Sequence, residues 1–459
     1  MLMKPIHRLR ERLALAATML LLLAVSCKKE TARPDENMLP PGQKEALATE
    51  PVTPLDKPIP LPAGSQGKAA RNAGGEPIPI IMVHGMGGLG PGEMLGLYHY
   101  WGGVDNIPQY LGNSGYPAYE AKVGPVSSNW DRAVELYYYI KGGYVDYGKL
   151  HSSRYGHAQK RTRYYPGIYP QWDAEHPVHL LGHSMGGLTV RKLVTLLEQG
   201  DAAERQDPGH ASLFNGGRTG WVKSVTTIST PHNGATLSYI LLNGYIPFVR
   251  QLVTSVAALA GVVPGIEKIY DFSLDQWGLV QQPGESWQSY ASRVENSVVW
   301  QTEDYCGHDV TPEALMDPAR PDPDSKQVYY FSFSTKASLR GLITGWEYPR
   351  PDVFPLLIPV AYPTPVLMGI GNYRRNEPGR IVIDAKWWPN DGAANTYGMS
   401  GPAGSSIKAY DPAVPLQKGV WNHVGVYNGY DHFDIIGIGY FHSVRPFYQH
   451  IAELLSAVQ

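Results

Sequence analysis

Val178-His179-Leu180-Leu181-Gly182-His183-Ser184-Met185-Gly186 joins an uncharged, largely apolar run to a serine flanked by glycines. Val178 to Leu181 reads as a buried strand of a parallel sheet. After Gly186, the residues Val190, Leu193, Val194 and Leu197 recur at spacings of three and four, which is the apolar face of a helix. Between strand and helix lies G-x-S-x-G. A turn that tight leaves no room for Cβ atoms at its flanking positions, hence glycine. It sets Ser184 at the carboxyl end of the sheet, against the positive end of the new helix.

Working outward, Ile78 to Val83 is a second charge-free strand pattern, and it stops at the glycine-rich turn His84-Gly85-Met86-Gly87-Gly88. Ser224 to Ile228 runs into Ser229-Thr230-Pro231-His232, and Val328 to Ser334 is a further strand pattern. Strands separated by helical patterns predict an α/β domain, with a mostly parallel central sheet flanked by helices. Strand, G-x-S-x-G and helix together form the nucleophile elbow of the α/β-hydrolase fold. Ser184 is then the nucleophile, and the backbone N–H groups of Met86 and Met185 are the expected oxyanion donors.

That fold orders its triad as serine, acid, histidine. Ile381-Val382-Ile383 is expected to be a strand, and Asn390-Asp391-Gly392 follows it. Asp391 is the acid candidate, although N-D-G serves equally well as a plain turn. For the base, His432 in Asp431-His432-Phe433-Asp434 is favoured as a late loop histidine. His423, His442 and His450 compete, and His450 falls in the apparent last helix.

Lys plus Arg number 39 against 41 Asp plus Glu, a net charge of −2, and no basic run builds a nucleic-acid surface. The first residues carry Lys4, Arg8, Arg10 and Arg12, and an apolar run from Leu13 to Ser26 follows. That run is short for a membrane span and suits a signal peptide, residues 1–27. It ends Ala24-Val25-Ser26-Cys27, similar to a lipoprotein lipobox with Cys27 as the lipidated residue; a plain secretory signal is the alternative. Either way the chain is exported, lipid-anchored at the bacterial envelope or secreted. Residues 28–75, rich in proline and lacking aromatics, read as a disordered tether, and residues 76–459 as the catalytic domain.

Several longer stretches carry a family resemblance: Ser127-Ser128-Asn129-Trp130-Asp131-Arg132, Val145-Asp146-Tyr147-Gly148, Tyr165-Pro166-Gly167, Tyr270-Asp271-Phe272, Leu274-Asp275-Gln276-Trp277-Gly278-Leu279 and Lys418-Gly419-Val420-Trp421-Asn422. From about residue 77 onward the chain resembles the zinc-containing bacterial lipases, the thermoalkalophilic and staphylococcal lipases. The resemblance implies a triad of Ser184, Asp391 and His432. It also implies a structural zinc ion on Asp131, His151, His157 and Asp304, pinning an insertion of about residues 100–165. Two imidazoles and two carboxylates suit a closed tetrahedral site. The family's calcium site matches here only at Asp434 and, through a backbone position, near Asp352. Its second acid falls at Gly439, which leaves at most a weak site.

Residues 235–300 are expected to hold a lid. Leu252, Val256, Leu259 and Val263 line one face of a helical pattern that would cover an acyl site, although an ordinary packed helix fits the same spacing. The expected activity is hydrolysis of acyl esters at a lipid substrate, as a lipase or carboxylesterase. The alternatives are an esterase for short acyl groups or polyesters, and a surface lipoprotein that binds acyl ligands without turnover.

Overall fold

The computed structural model describes residues 46–63, 65, 70–242, 270–319, 322–351, 368, 380–438 and 443–458. Its centre is a seven-stranded sheet in the order β10-β11-β7-β6-β5-β1-β2. The strands are β1 (Ile80–Val83), β2 (Ala118–Glu120), β5 (Val178–His183), β6 (Val222–Ile228), β7 (Tyr329–Lys336), β10 (Ile407–Ala409) and β11 (Trp421–Asn428). Every neighbouring pair is parallel. Two antiparallel pairs stand apart: β3 (Gly143–Asp146) with β4 (Lys160–Tyr165), and β8 (Ser338–Arg340) with β9 (Glu347–Pro349).

Side chains alternate across the central strands, as a sheet covered on both faces requires. Ile81, Val83 and Leu180 face one cluster, with Val134, Leu193, Trp172 and Phe214. Helices α2 (Asn129–Lys141) and α4 (Met185–Gln199) supply much of it. Ile80, Met82, Leu181, Phe331 and Phe333 face the other, with Ile107, Phe447, Ile451 and Leu455. That side is covered by α1 (Ile107–Asn113) and α9 (Arg445–Ser456), the latter starting with Pro446 in its first turn, where a missing N–H costs nothing. Between α3 (Lys149–Tyr155) and α9 lie α5 (Leu237–Leu242), α6 (Trp287–Glu295), α7 (Cys306–Asp309) and α8 (Pro312–Leu315).

Three sequence expectations need correction. The tether is not disordered throughout residues 28–75. From residue 46 the chain lies on the fold: Thr53 N–H donates to Asn428 O at 2.9 Å, and Lys336 Nζ meets Glu50 Oε1 at 2.7 Å. Leu55 and Ile59 are buried in the α1–α9 cluster. Composition concealed this because a strap needs only a few apolar anchors and borrows its hydrogen bonds from the body. The insertion is also narrower than 100–165. β2 pairs with β1 and α2 packs against α4, so both belong to the main body, and the excursion from the sheet is β3, α3 and β4. Ile381-Val382-Ile383 is no strand: Ile383 is buried against Trp387 and Tyr239 while Val382 is 58% exposed. The lid helix proposed around 252–263, together with Cys27, Asp352, Gly439 and His442, lies outside the described residues.

Candidate active site

The β5–α4 turn forces Ser184 into φ +56° and ψ −131°, a conformation that an L-residue adopts only when its surroundings impose it. The glycines make room. A Cβ on Gly182 would strike the backbone of Gly186 and Gly187, and one on Gly186 would strike the carbonyl oxygen of Val83.

Ser184 Oγ lies 2.8 Å from His432 Nε2, and His432 Nδ1 lies 2.7 Å from Asp391 Oδ2. The backbone fixes the same pair, since His432 N–H donates to Asp391 O at 3.0 Å. Asp391 is fully buried, and three donors hold its carboxylate: Thr335 Oγ1 at 2.7 Å, Ala394 N–H at 2.8 Å and Ala393 N–H at 3.1 Å. Its loop is tied to the end of β7 by Ala337 N–H donating to Asn390 O at 2.9 Å. Such a chain can take a proton from the serine and stabilise the imidazolium that results.

The turn after β1 is braced from beneath. Arg132, wholly buried, donates to Gly124 O at 2.8 Å, to Thr189 Oγ1 at 3.0 Å and to His84 O. Tyr100 Oη accepts from Gly85 N–H at 2.8 Å and stands 2.6 Å from His183 Nδ1. Burial, with His432 nearby, holds His183 well below its ordinary pKa, so the ring beside the base stays neutral. Met185 is buried next to the serine. It opens an apolar cluster that includes Leu188, Tyr270, Phe272, Leu274 and Trp300, with Met86 packed at its edge.

A second constellation sits on α2, on α3 and the turn that follows it, and on the segment after α6. Asp131, His151, His157 and Asp304 bring four ligand atoms within 4.8 Å of one another. His157 Nε2 and Asp304 Oδ2 face each other at 3.2 Å, yet both are buried without a hydrogen-bond partner. Buried lone pairs aimed at one point are what a cation would relieve. The outer contacts agree. His157 Nδ1 sits 3.0 Å from Ala158 O, so its proton belongs there and Nε2 is left as a ligand atom. Gln276 Nε2 donates to Asp131 Oδ2 at 3.1 Å, and Trp130 stacks on His151 with ring centroids 5.0 Å apart.

Residues 76–458 match the family model described as "Lipase-like, C-terminal domain". The chain belongs to this lipase-like family. Among curated relatives, a protein named Lipase from Staphylococcus epidermidis is 37% identical over 372 residues, 78% of this chain and 50% of its own length. Lipase 1 of Staphylococcus aureus is 36% identical over 393 residues, 82% of this chain and 54% of its own. The chain thus spans about half the length of these curated relatives. Among solved structures, EstA from Clostridium botulinum superposes with TM-score 0.76 at 36% identity, covering 95% of this chain and 97% of that one. Staphylococcus hyicus lipase gives 0.67 at 33%, covering 83% and 96%.

In this lipase-like domain the sequence-derived candidates Ser184, Asp391 and His432 come together, as do the four metal candidates. Asp434 lies beside Asp431, but among the described residues the two join no group of three or more metal-ligating side chains. Asp434 Oδ2 accepts from Asp431 N–H at 3.1 Å, and the residue packs into the turn that carries His432. Thr335 and Tyr100 carried no sequence signal that singled them out, and Arg132 and Gln276 stand in the resemblance stretches without a task. A buried arginine adjoining a metal-ligand aspartate was the available signal for Arg132. Thr335 had none, because a threonine in a strand is ordinary.

Proposed function

We propose that this chain is a serine ester hydrolase of the lipase and carboxylesterase type. The observation that carries the reading is the unbroken Ser184–His432–Asp391 hydrogen-bonded chain at a strained elbow. His432 takes the Ser184 proton as Oγ attacks the ester carbonyl carbon. The carbonyl oxygen, now negative, is held by the N–H groups of Met86 and Met185; the latter opens α4, where backbone donors have no partner within the helix. Collapse expels the alcohol, which receives the proton from His432 and leaves an acyl-serine. Water, deprotonated by His432, then releases the acid and restores Ser184.

The apolar cluster that contains Met185, the chain neighbour of the nucleophile, with Met86 at its edge, supports a long acyl group. Initial rates on esters from short to long acyl chains test this. Turnover persisting on long chains supports a lipase. Turnover confined to short chains leaves the narrower esterase.

Asp131, His151, His157 and Asp304 would hold zinc as a structural ion, fastening α3 to α2 and to the segment after α6. The two-carboxylate, two-imidazole donor set supports zinc over a hard cation, which takes six or more oxygens. No calcium-dependent role is proposed for Asp434. The chain is read as exported and held at the envelope through Cys27, acting on lipid or other acyl-ester substrates.

A further inference from the structure

The β8–β9 hairpin grows directly from the carboxyl end of β7, one residue past Lys336. That edge of the sheet also carries Ser184, Asp391 and His432. The base of the hairpin is joined to the acid loop, since Asn390 N–H donates to Ser338 Oγ at 3.2 Å. Its tip reads Gly341-Leu342-Ile343-Thr344-Gly345-Trp346.

Leu342 is 67% exposed and Ile343 71%, the two highest values among large hydrophobic side chains of the described residues. Lone exposed aliphatics are commonplace. Here, however, two are adjacent at a turn the backbone holds closed. Gly341 N–H donates to Trp346 O at 2.7 Å, Gly345 N–H donates to Gly341 O at 3.0 Å, and Gly345 occupies φ +71°. Trp346 N–H donates to Thr344 Oγ1 at 3.2 Å, and the half-buried Trp346 and Tyr348 rings lie 6.5 Å apart behind the tip. A fixed aliphatic tip backed by half-buried tryptophan and tyrosine has the layering of a surface that enters a lipid interface.

A separate observation supports a bilayer as the partner. The N-terminal strap meets the fold at this hairpin: Leu342 N–H donates to Ala46 O at 2.8 Å and Ala48 N–H to Arg340 O at 2.8 Å, so the strap pairs with Gly341 through one isolated antiparallel bridge at Leu47. The chain leading back to Cys27 therefore joins the body next to the exposed aliphatics, at the edge of the sheet that carries the nucleophile.

We propose that the Leu342–Ile343 tip is a membrane-docking surface that inserts between the lipids of a bilayer and turns the Ser184 edge of the sheet towards it. The inference rests on the lipid-directed reading above. The tip inserts by itself when lipid is in large excess, and an anchor at Cys27 would raise the local concentration further.

The test places an environment-sensitive nitrobenzoxadiazole probe on Ile343→Cys in the full chain carrying Cys27→Ser, Cys306 being buried. A matched probe goes on Gln417→Cys, an exposed position just before the amino end of β11, at the opposite edge of the sheet. With phosphatidylcholine vesicles, the probe at residue 343 is expected to shift to the blue and to be quenched several-fold more by nitroxide-labelled lipid than the probe at 417. Equal responses, no response at 343, or failure of the chain to co-sediment with vesicles overturns the proposal. The variant Leu342→Ser/Ile343→Ser provides a second reading: about tenfold loss of rate on emulsified triacylglycerol, with the rate on a dissolved short-chain ester kept. Unchanged rates on both esters also overturn it. Should the wild type hydrolyse neither ester, the catalytic reading fails while the probe still judges the docking surface.

Discussion

Thr335 Oγ1 lies 2.7 Å from Asp391 Oδ2, the same carboxylate oxygen that faces His432 Nδ1 at 2.7 Å. A hydroxyl on β7 thus holds the same carboxylate oxygen that meets the base. Thr335→Val keeps the shape and removes the donor. A hydrogen bond to a charged group contributes about 1.5–3 kcal/mol, so kcat should fall by about 10- to 100-fold with KM little changed. Thr335→Ser, which keeps the hydroxyl, should recover most of the rate. Steady-state kinetics on one dissolved ester distinguishes these outcomes, and a Thr335→Val enzyme as fast as the wild type would show that the contact is idle.

The elbow was legible in the sequence because strand, motif and helix are all local patterns. The parallel sheet was legible for the same reason: Ile80–Val83 and Val178–Leu181 are buried on both faces and largely apolar, while Val222–Ile228 showed only through its β-branched residues. Asp391 was less so. Its turn follows no strand, and it is held by contacts to β7, more than fifty residues away in the chain. The metal cluster spans Asp131 to Asp304 and rested wholly on family resemblance, since no spacing rule joins residues that distant. The strap was misread as tether because Leu55 and Ile59 are only two apolar anchors in a proline-rich stretch.

Those two anchors give a stability prediction. Leu55 and Ile59 are each 7% exposed, packed among residues of the α1–α9 side. Leu55→Ala and Ile59→Ala should each destabilise the fold by about 2–4 kcal/mol in urea unfolding. Costs near zero would mean that the strap is not docked in solution.

Metal removal should be felt as stability. Chelation leaves Asp131 and Asp304 buried and opposed, with His157 Nε2 and Asp304 Oδ2 unsatisfied. The melting temperature should drop in chelator and return with stoichiometric zinc, and metal analysis of the purified chain should find about one zinc per chain. An unchanged melting temperature with no bound metal would remove the structural ion from the account.

Glu120, at the end of the edge strand β2, gives a pH prediction. Burial, reinforced by Glu93, pushes its carboxyl up to about 8 from 4.5. The residue retains some exposed area, but Oε1 itself is enclosed without a hydrogen-bond partner. A carboxyl raised on folding favours the folded state in its protonated form, so this contribution is full below 4.5 and is lost as the pH climbs through 8. Glu120→Gln should therefore be more stable than the wild type above pH 8 and close to it below 4.5. Denaturation midpoints across that range decide it, and parallel curves for the two proteins would contradict the burial argument.

Ser184 is proposed as the nucleophile of an ester hydrolase. The most direct measurement is the initial rate of ester hydrolysis by wild type and by Ser184→Ala, with folding of both checked by circular dichroism. Turnover by the wild type is expected, with a loss of about 10⁴-fold or more in kcat for the variant. A folded Ser184→Ala chain that hydrolyses the same ester as fast as the wild type would contradict that assignment.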